Sequence, residues 1–214
     1  MAADARSGIE ADYDPWLFDL DGTLVDTEWG YKRELFDRVE DRLGVGFDDD
    51  AVERVWYGLG GDRAAAIRAA GLEPTEFWAA FDALDDPVSR AEATYLYDDA
   101  AVVGALDGPV GLVTHCPGPI TERVLDALDV RDWFDAVVCC SPETGWKPDP
   151  TPVERALATM DVAGPGGVYV GDGPGDVGAA RNAGLAAVHV ERHGHDRRGR
   201  CVLGDHQVRA LTDL

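Results

Sequence analysis

Five short runs in this chain are apolar nearly throughout: Trp16–Phe18, Val110–Val113, Ala136–Cys140, Val168–Val170 and Ala186–Val190. A strand with apolar residues at successive positions must be covered on both faces, the condition met in a parallel sheet flanked by helices. Helical spacing of apolar residues falls between these runs, at Ile120–Leu128, Pro152–Met160 and Val177–Ala183. Strand and helix therefore alternate over residues 109–190, which predicts βαβ units in a doubly wound α/β sheet.

The stretch from 28 to 100 is patterned differently. Tyr31–Leu43, Ala51–Tyr57, Arg63–Ala70, Thr75–Leu84 and Val88–Tyr97 all read as helices, with Gly44–Gly46, Gly58–Gly61 and Pro87 as breaks. No strand-like run competes there. The expected organisation is an acidic tail over 1–14, an α/β core over 15–27 and 101–214, and a helical insert over 28–100 that caps the sheet. From Glu191 onward the sequence is polar, then weakly helical at Gln207–Thr212. A length of 214 residues suits one domain carrying such an insert.

Asp and Glu number 41 against 19 Lys and Arg, a formal charge of −22. A nucleic-acid groove needs a basic stripe and an anionic membrane surface attracts basic segments, so neither partner is expected. No apolar run approaches the ~20 residues that span a bilayer. The first fifteen residues lack the apolar stretch of a signal peptide, so the cytoplasm is the expected compartment. Cys116, Cys139, Cys140 and Cys201 show no disulfide spacing and read as reduced thiols. Only two cations are lysines, Lys32 and Lys147, against 17 arginines. Acid excess with so little lysine resembles proteins of salt-loaded cytoplasm, where a Debye length of ~3 Å at about 1 M salt screens carboxylate repulsion. An acidic mesophilic protein is the alternative.

Asp19-Leu20-Asp21-Gly22-Thr23 directly follows the first apolar run. Ligands of open parallel sheets gather at the carboxyl ends of strands. Asp19 and Asp21, two residues apart, point to one side of extended backbone, and Gly22 permits a sharp turn. An Asx turn that ends a strand would use the same Asp-Gly pair. Gly171-Asp172-Gly173-Pro174-Gly175-Asp176 follows another run. It places Asp172 at a strand end, Gly173–Gly175 in a tight loop and Asp176 near a helix start, where a simple N-cap is the alternative. Thr114 closes the Val110–Val113 run just before a helix N-terminus, a natural phosphate contact. Lys147 precedes a helix in Trp146-Lys147-Pro148. Carboxylates converging from several strand ends repel one another. A lysine and a divalent cation would neutralise them, and hard carboxylate oxygens favour Mg²⁺.

This ordered set resembles the haloacid dehalogenase (HAD) superfamily, with Asp19–Thr23 as the first motif, Thr114 as the second, Lys147 as the third and Asp172 with Asp176 as the fourth, over residues 16–190. The insert looks like that family's α-helical cap, and Leu24-Val25-Asp26-Thr27-Glu28 is similar to the phosphoglycolate phosphatase and β-phosphoglucomutase branch. The resemblance implies a three-layer Rossmann-like core with an inserted α-helical cap. It also implies a Mg²⁺-dependent phosphatase acting on a small phosphorylated metabolite, phosphoglycolate being the leading candidate. Asp19 is then the nucleophile that becomes an aspartyl phosphate, and Asp21 the general acid and base. Thr114 holds phosphoryl oxygens and Lys147 offsets charge on Asp19 and the phosphoryl group. The resemblance assigns Mg²⁺ to Asp19, the Asp21 main-chain carbonyl and Asp172, supported by Asp176. Asp21 argues against the carbon-attacking dehalogenase branch. His115 stands where the family often has Asn, so phosphate contacts there differ, and Trp146 stands where glycine is usual. A phosphomutase is the alternative enzyme. A non-catalytic ligand- or partner-binding module is the alternative from another class, and the sequence does not set the oligomeric state.

Weaker features have plainer readings. His193-Gly194-His195 with Cys201 offers zinc ligands, but the spacing matches no standard site and a solvated loop is favoured. Cys139-Cys140 reads as buried small hydrophobes. Trp56, Tyr57 and Trp78 read as packing between helices. Arg63, like Arg54, flanks the Gly58–Gly61 cluster and is a candidate contact for the non-reacting anion of a substrate.

Overall fold

The computed structural model describes residues 13–198 and 202–214. The chain runs β1 (Trp16–Phe18), β2 (Val25–Thr27), α1 (Trp29–Leu43), α2 (Asp49–Tyr57), α3 (Arg63–Ala69), α4 (Pro74–Leu84), α5 (Pro87–Glu92), β3 (Thr94–Leu96) and β4 (Val110–Thr114). It continues through α6 (Gly118–Ala127), β5 (Ala136–Cys139), α7 (Thr151–Met160), β6 (Val168–Gly171), α8 (Pro174–Asn182), β7 (Ala186–Val190), α9 (His195–Arg198) and β8 (His206–Val208). Short 3-10 turns lie at Ala100–Ala105, Arg131–Trp133 and Leu211–Asp213.

Six strands form one sheet in the order β5-β4-β1-β6-β7-β8, and the neighbouring pairs are parallel. The helices around it make this the α/β, Rossmann-like core that the strand–helix alternation predicts. Leu17, Val113 and Tyr169 face a buried cluster with Val153, Ala156 and Leu157 of α7 and Val177, Ala179 and Ala180 of α8. Chain order reverses at β1: β4 and β5 step to one side of it, β6, β7 and β8 to the other. Such a reversal opens a crevice at the carboxyl ends of the strands.

The described residues divide into two compact units. The sheet unit runs to Asp26, then takes Leu96–Arg192 and Val202–Leu214. The helical unit takes Thr27–Tyr95 and the segment that begins at His193, which the sequence reading placed in the core. That segment is tied in by Gly60 N donating to Arg197 O at 3.0 Å and Arg198 Nη1 to Tyr57 O at 2.8 Å. Within the helical unit, Phe36 packs edge-on against Phe47 at 5.4 Å and Phe81 at 5.9 Å, and tilted against Phe77 at 5.7 Å. The Asp48 carboxylate caps α2 by accepting from Ala51 N at 2.8 Å, and Asp62 caps α3 from Ala64 N at 2.9 Å. Arg90 and Asp85 form a buried ion pair at 3.1 Å, and the Tyr31 hydroxyl donates to the same carboxylate at 2.6 Å.

The structure departs from the sequence reading in four further places. The helix expected over Val88–Tyr97 stops at Glu92, and Thr94–Leu96 form β3, which pairs with β2. β-Branched Thr94 and Thr27 are both buried there, with their hydroxyls 3.2 Å apart. Gln207 lies in strand β8 instead of a weak helix, because His206–Val208 supply the backbone partners that the edge of β7 would otherwise lack. Pro174 and Gly175 belong to the first turn of α8, where Pro has no helical N–H to lose, and not to a loop. Lastly, Asp14 and Tyr13 are not tail: Asp14 N donates to Gly166 O at 3.1 Å, and the Tyr13 hydroxyl bonds His206 Nε2 at 2.8 Å. The rest of the expected tail lies outside the described residues. Among the described residues no helix is long and apolar enough to cross a membrane.

Neither lysine is at the surface. Lys32 is 1% exposed and Lys147 7%. The Lys32 ammonium bonds the Tyr57 hydroxyl and lies 4.3 Å from that ring's centroid.

Truncating Phe36 removes the centre of the aromatic cluster without filling it. Phe36→Ala is expected to destabilise the protein by about 3–5 kcal/mol, read from the shift in a denaturant midpoint.

Candidate active site

Asp19 is the first residue beyond β1, and its N–H donates to Val170 O at 2.9 Å, continuing the ladder with β6. The chain then closes a tight turn. The amides of Thr23, Leu24 and Val25 all donate to Leu20 O, at 3.2, 2.9 and 3.1 Å. Gly22 sits at φ 82°, and a Cβ there would come within 2.8 Å of Asp172 Oδ2. The position therefore excludes a side chain on conformational and on steric grounds. Asp21, on the same turn, is partly exposed.

Lys147 reaches in from the segment between β5 and α7. Its Nζ lies 2.6 Å from Asp19 Oδ1, 2.6 Å from Asp176 Oδ1, 3.0 Å from the Tyr169 hydroxyl and 3.1 Å from Val113 O. Its backbone is pinned on two sides. His115 Nε2 accepts the Lys147 N–H at 3.0 Å, and Asn182, the only asparagine of the chain, donates to Pro148 O at 2.9 Å. Pro148 packs where a Cβ on Gly178 would stand 2.6 Å away. The two departures from the family pattern touch each other, with the His115 and Trp146 rings edge-to-face at 5.5 Å.

Asp172 follows β6, and His189 Nε2 on the next strand hydrogen-bonds its carbonyl at 3.1 Å. Asp176, in the first turn of α8, turns Oδ2 back to accept Gly173 N at 2.9 Å. Thr114 ends β4, 1% exposed, and its Oγ1 accepts Cys116 N at 3.0 Å, which leaves the hydroxyl hydrogen as a donor. The structure thus brings Asp19, Lys147, Asp172 and Asp176 together and sets Thr114 and His115 at the end of the strand beside β1. Arg63 belongs to the helical unit, where its Nη2 donates to Trp56 O at 2.9 Å. Cys201 lies outside the described residues. Tyr169 was not singled out in the sequence, because a tyrosine inside an apolar strand reads as core. It is 1% exposed, and its hydroxyl donates to Val113 O at 2.6 Å while accepting from Lys147.

Burial raises the Asp19 carboxyl, Lys147 draws it down, and Asp176 and Asp172 raise it again; the net result is a value pushed up to about 8. Burial also opposes charge on Asp176, but the Lys147 ammonium and the Gly173 N–H overcome it and hold this carboxyl below its ordinary range. Lys147 is likewise held charged against burial by Asp176 and Asp19. Carboxylate oxygens of Asp19, Asp172 and Asp176 lie within 4.8 Å of one another. Three carboxylates against one ammonium leave negative charge in excess, and all the donors are hard oxygens, so the residues present fit a divalent cation such as Mg²⁺.

Between its ordinary value of 3.8 and about 8, the folded protein keeps an Asp19 proton that the unfolded chain has released. This group therefore lowers stability as pH rises through that window. Metal-free Asp19→Asn is expected to melt higher than the unsubstituted protein at pH 8, by roughly 2–4 °C per kcal/mol of relieved repulsion. The difference should close toward pH 4, as followed by circular dichroism. Tyr169→Phe removes only one hydroxyl and is expected to lower stability by about 1 kcal/mol.

A haloacid dehalogenase-like hydrolase family model matches residues 16–184. The chain is 30% identical over 198 residues to the phosphoglycolate phosphatase of Escherichia coli K12, across 80% of this chain and 78% of that one. It superimposes on CbbY from Rhodobacter sphaeroides, crystallised with phosphate, with a TM-score of 0.70 at 24% identity, covering 93% and 95% of the two chains. A HAD phosphatase from Thermococcus onnurineus superimposes with a TM-score of 0.65 at 22% identity, covering 94% and 95%. With the family model spanning the sheet unit's four motif positions, this chain belongs to the haloacid dehalogenase-like hydrolases.

Proposed function

We propose that this protein is a Mg²⁺-dependent phosphatase that hydrolyses a small phosphate monoester through an aspartyl phosphate on Asp19. The observation that carries the reading is the Lys147 ammonium, 2.6 Å from both Asp19 and Asp176. Its charge draws the buried Asp19 carboxyl back toward the ionised, attacking form, and a divalent cation beside it would draw it further. A carboxylate oxygen of Asp19 forms a bond to phosphorus as the ester P–O bond breaks. Asp21 gives its proton to the departing alcohol oxygen. The same group then takes a proton from water as that water attacks phosphorus, and inorganic phosphate leaves with Asp19 restored. The Thr114 hydroxyl donates to a phosphoryl oxygen throughout. His115 contributes by fixing the Lys147 backbone as well as by lying beside Thr114. Mg²⁺, held by Asp19, Asp172 and the Asp21 carbonyl with Asp176 behind it, would draw charge from the phosphoryl oxygens.

Phosphoglycolate is the proposed substrate, supported by curated relatives of that activity at 30% identity. The structural neighbours solved with phosphate and with xylulose-1,5-bisphosphate are consistent with a phosphate-ester site. The protein is proposed to work in the cytoplasm at raised salt, with 41 acidic side chains and no surface lysine.

Phosphate release from p-nitrophenyl phosphate and a panel of small esters tests this. Mg²⁺-dependent release is expected, lost in EDTA and reduced to background in Asp19→Asn. Free phosphate is the expected product from a hexose phosphate; an isomerised sugar would assign the protein to the mutases. Release unchanged by Asp19→Asn would falsify the covalent mechanism. Turnover and melting temperature are both expected to rise from about 0.1 M toward about 1 M KCl, as screening extends to the carboxylate surface; flat profiles would remove the salt-adapted reading.

A further inference from the structure

The turn that carries Asp19 and Asp21 uses its amides internally, on Leu20 O and Val25 O. The carbonyl of Thr23 faces the other way, and Thr23 is fully buried. It accepts a hydrogen bond of 2.7 Å from Arg192 Nη2. Arg192 follows β7, 169 residues further along the chain. Its guanidinium is not free to choose that direction. Nη1 and Nη2 grip the Asp99 carboxylate as a fork at 2.8 and 2.9 Å, and the plane lies 4.1 Å from the Tyr97 ring centroid. Asp99 is itself fixed, because its Oδ2 also accepts Leu211 N at 2.7 Å. Tyr97 is fixed too, its N–H donating to Leu24 O at 3.0 Å. The motif turn and the Tyr97–Asp99 segment therefore meet on one side chain, with Leu211 tied to it through Asp99, and the Thr23 hydroxyl lies 3.5 Å from Asp19 Oδ2.

We infer that Arg192 is a positioning residue for the Asp19–Val25 turn: clamped by Asp99 and Tyr97, it anchors the Thr23 carbonyl and so sets the aim of Asp19 and Asp21. The arrangement requires arginine. One planar group serves both oxygens of a carboxylate and a backbone carbonyl together, which a lysine ammonium on a flexible stem does not reproduce.

The kinetic part of the test rests on the phosphatase reading, and the exchange part does not. Amide hydrogen exchange, read by segment, is compared for the unsubstituted protein, Arg192→Met, Arg192→Lys and the near-isosteric Asp99→Asn. The amides of 22–25 are expected to exchange faster in Arg192→Met and Asp99→Asn, with β4 and β6 unchanged and Arg192→Lys intermediate. For the same variants kcat on p-nitrophenyl phosphate is expected to fall on the order of 10²-fold, the effect of a misaimed group, with KM within about twofold. Unchanged exchange at 22–25 in both Arg192→Met and Asp99→Asn overturns the inference. So does a rise spread evenly over β4 and β6, which would mark general loss of stability. Asp99→Asn, which removes the charge and keeps the shape, decides the matter if Arg192→Met does not fold. If the unsubstituted protein releases no phosphate from any ester, the phosphatase reading fails and the exchange result still decides whether Arg192 anchors the turn.

Discussion

The Lys147 ammonium organises everything around it. Its nitrogen has more acceptors within reach than it has hydrogens: two carboxylates, a tyrosine hydroxyl and a backbone carbonyl. Each acceptor comes from a different part of the sheet unit: the end of β1, the first turn of α8, β6 and β4. Taking that charge away would leave Asp19 and Asp176 buried, close and unscreened, a situation that typically costs several kcal/mol. The pieces that look incidental serve the lysine. Gly178 makes room for Pro148, Asn182 holds the Pro148 carbonyl, and His115 accepts the Lys147 amide. A buried ion cluster of this kind adds little net stability compared with an apolar core. Its persistence in the centre of the fold points to chemistry.

The sheet topology explains why so few residues suffice. Because β1 lies between β4 and β6, a side chain at or just past the end of each of these strands is delivered to the same crevice without a long connection. Asp19, Thr114 and Asp172 are all such residues. Lys147 comes instead from the segment between β5 and α7, whose backbone is held by His115 and Asn182. Gly22 completes the geometry, since the motif turn passes so close to Asp172 that no side chain fits between them.

How much of this was readable depended on whether a residue's role left a local trace. The strands β1, β4, β5, β6 and β7 were legible because strands buried on both faces are apolar at successive positions. The motif positions Asp19, Asp172 and Asp176 were legible because carboxylates next to glycine at strand ends are conspicuous in an apolar context. β8 and β3 were not: each has three residues, and each owes its conformation to the partner it pairs with. Tyr169 was hidden because its ring belongs to the core and only its hydroxyl belongs to the site. Arg192 was hidden for the opposite reason. It looks like one charge among many in a polar stretch, and its partners Asp99 and Thr23 are far away in sequence. Lys32 was conspicuous through lysine scarcity alone, and only the fold shows it buried against Tyr57.

Burial of both lysines gives the surface an unusual chemical character. Every solvent-facing side-chain cation among the described residues is a guanidinium or an imidazole. Reagents that acylate or reductively alkylate amines therefore find no lysine at the surface of the described residues while the chain is folded. Trypsin is confined to arginyl bonds at the native surface, and glutaraldehyde has almost no purchase for joining one molecule to another. An amine-directed label is thus a reporter of opening: its appearance on Lys147 would mean that the ion cluster has come apart, and on Lys32 that the helical unit has.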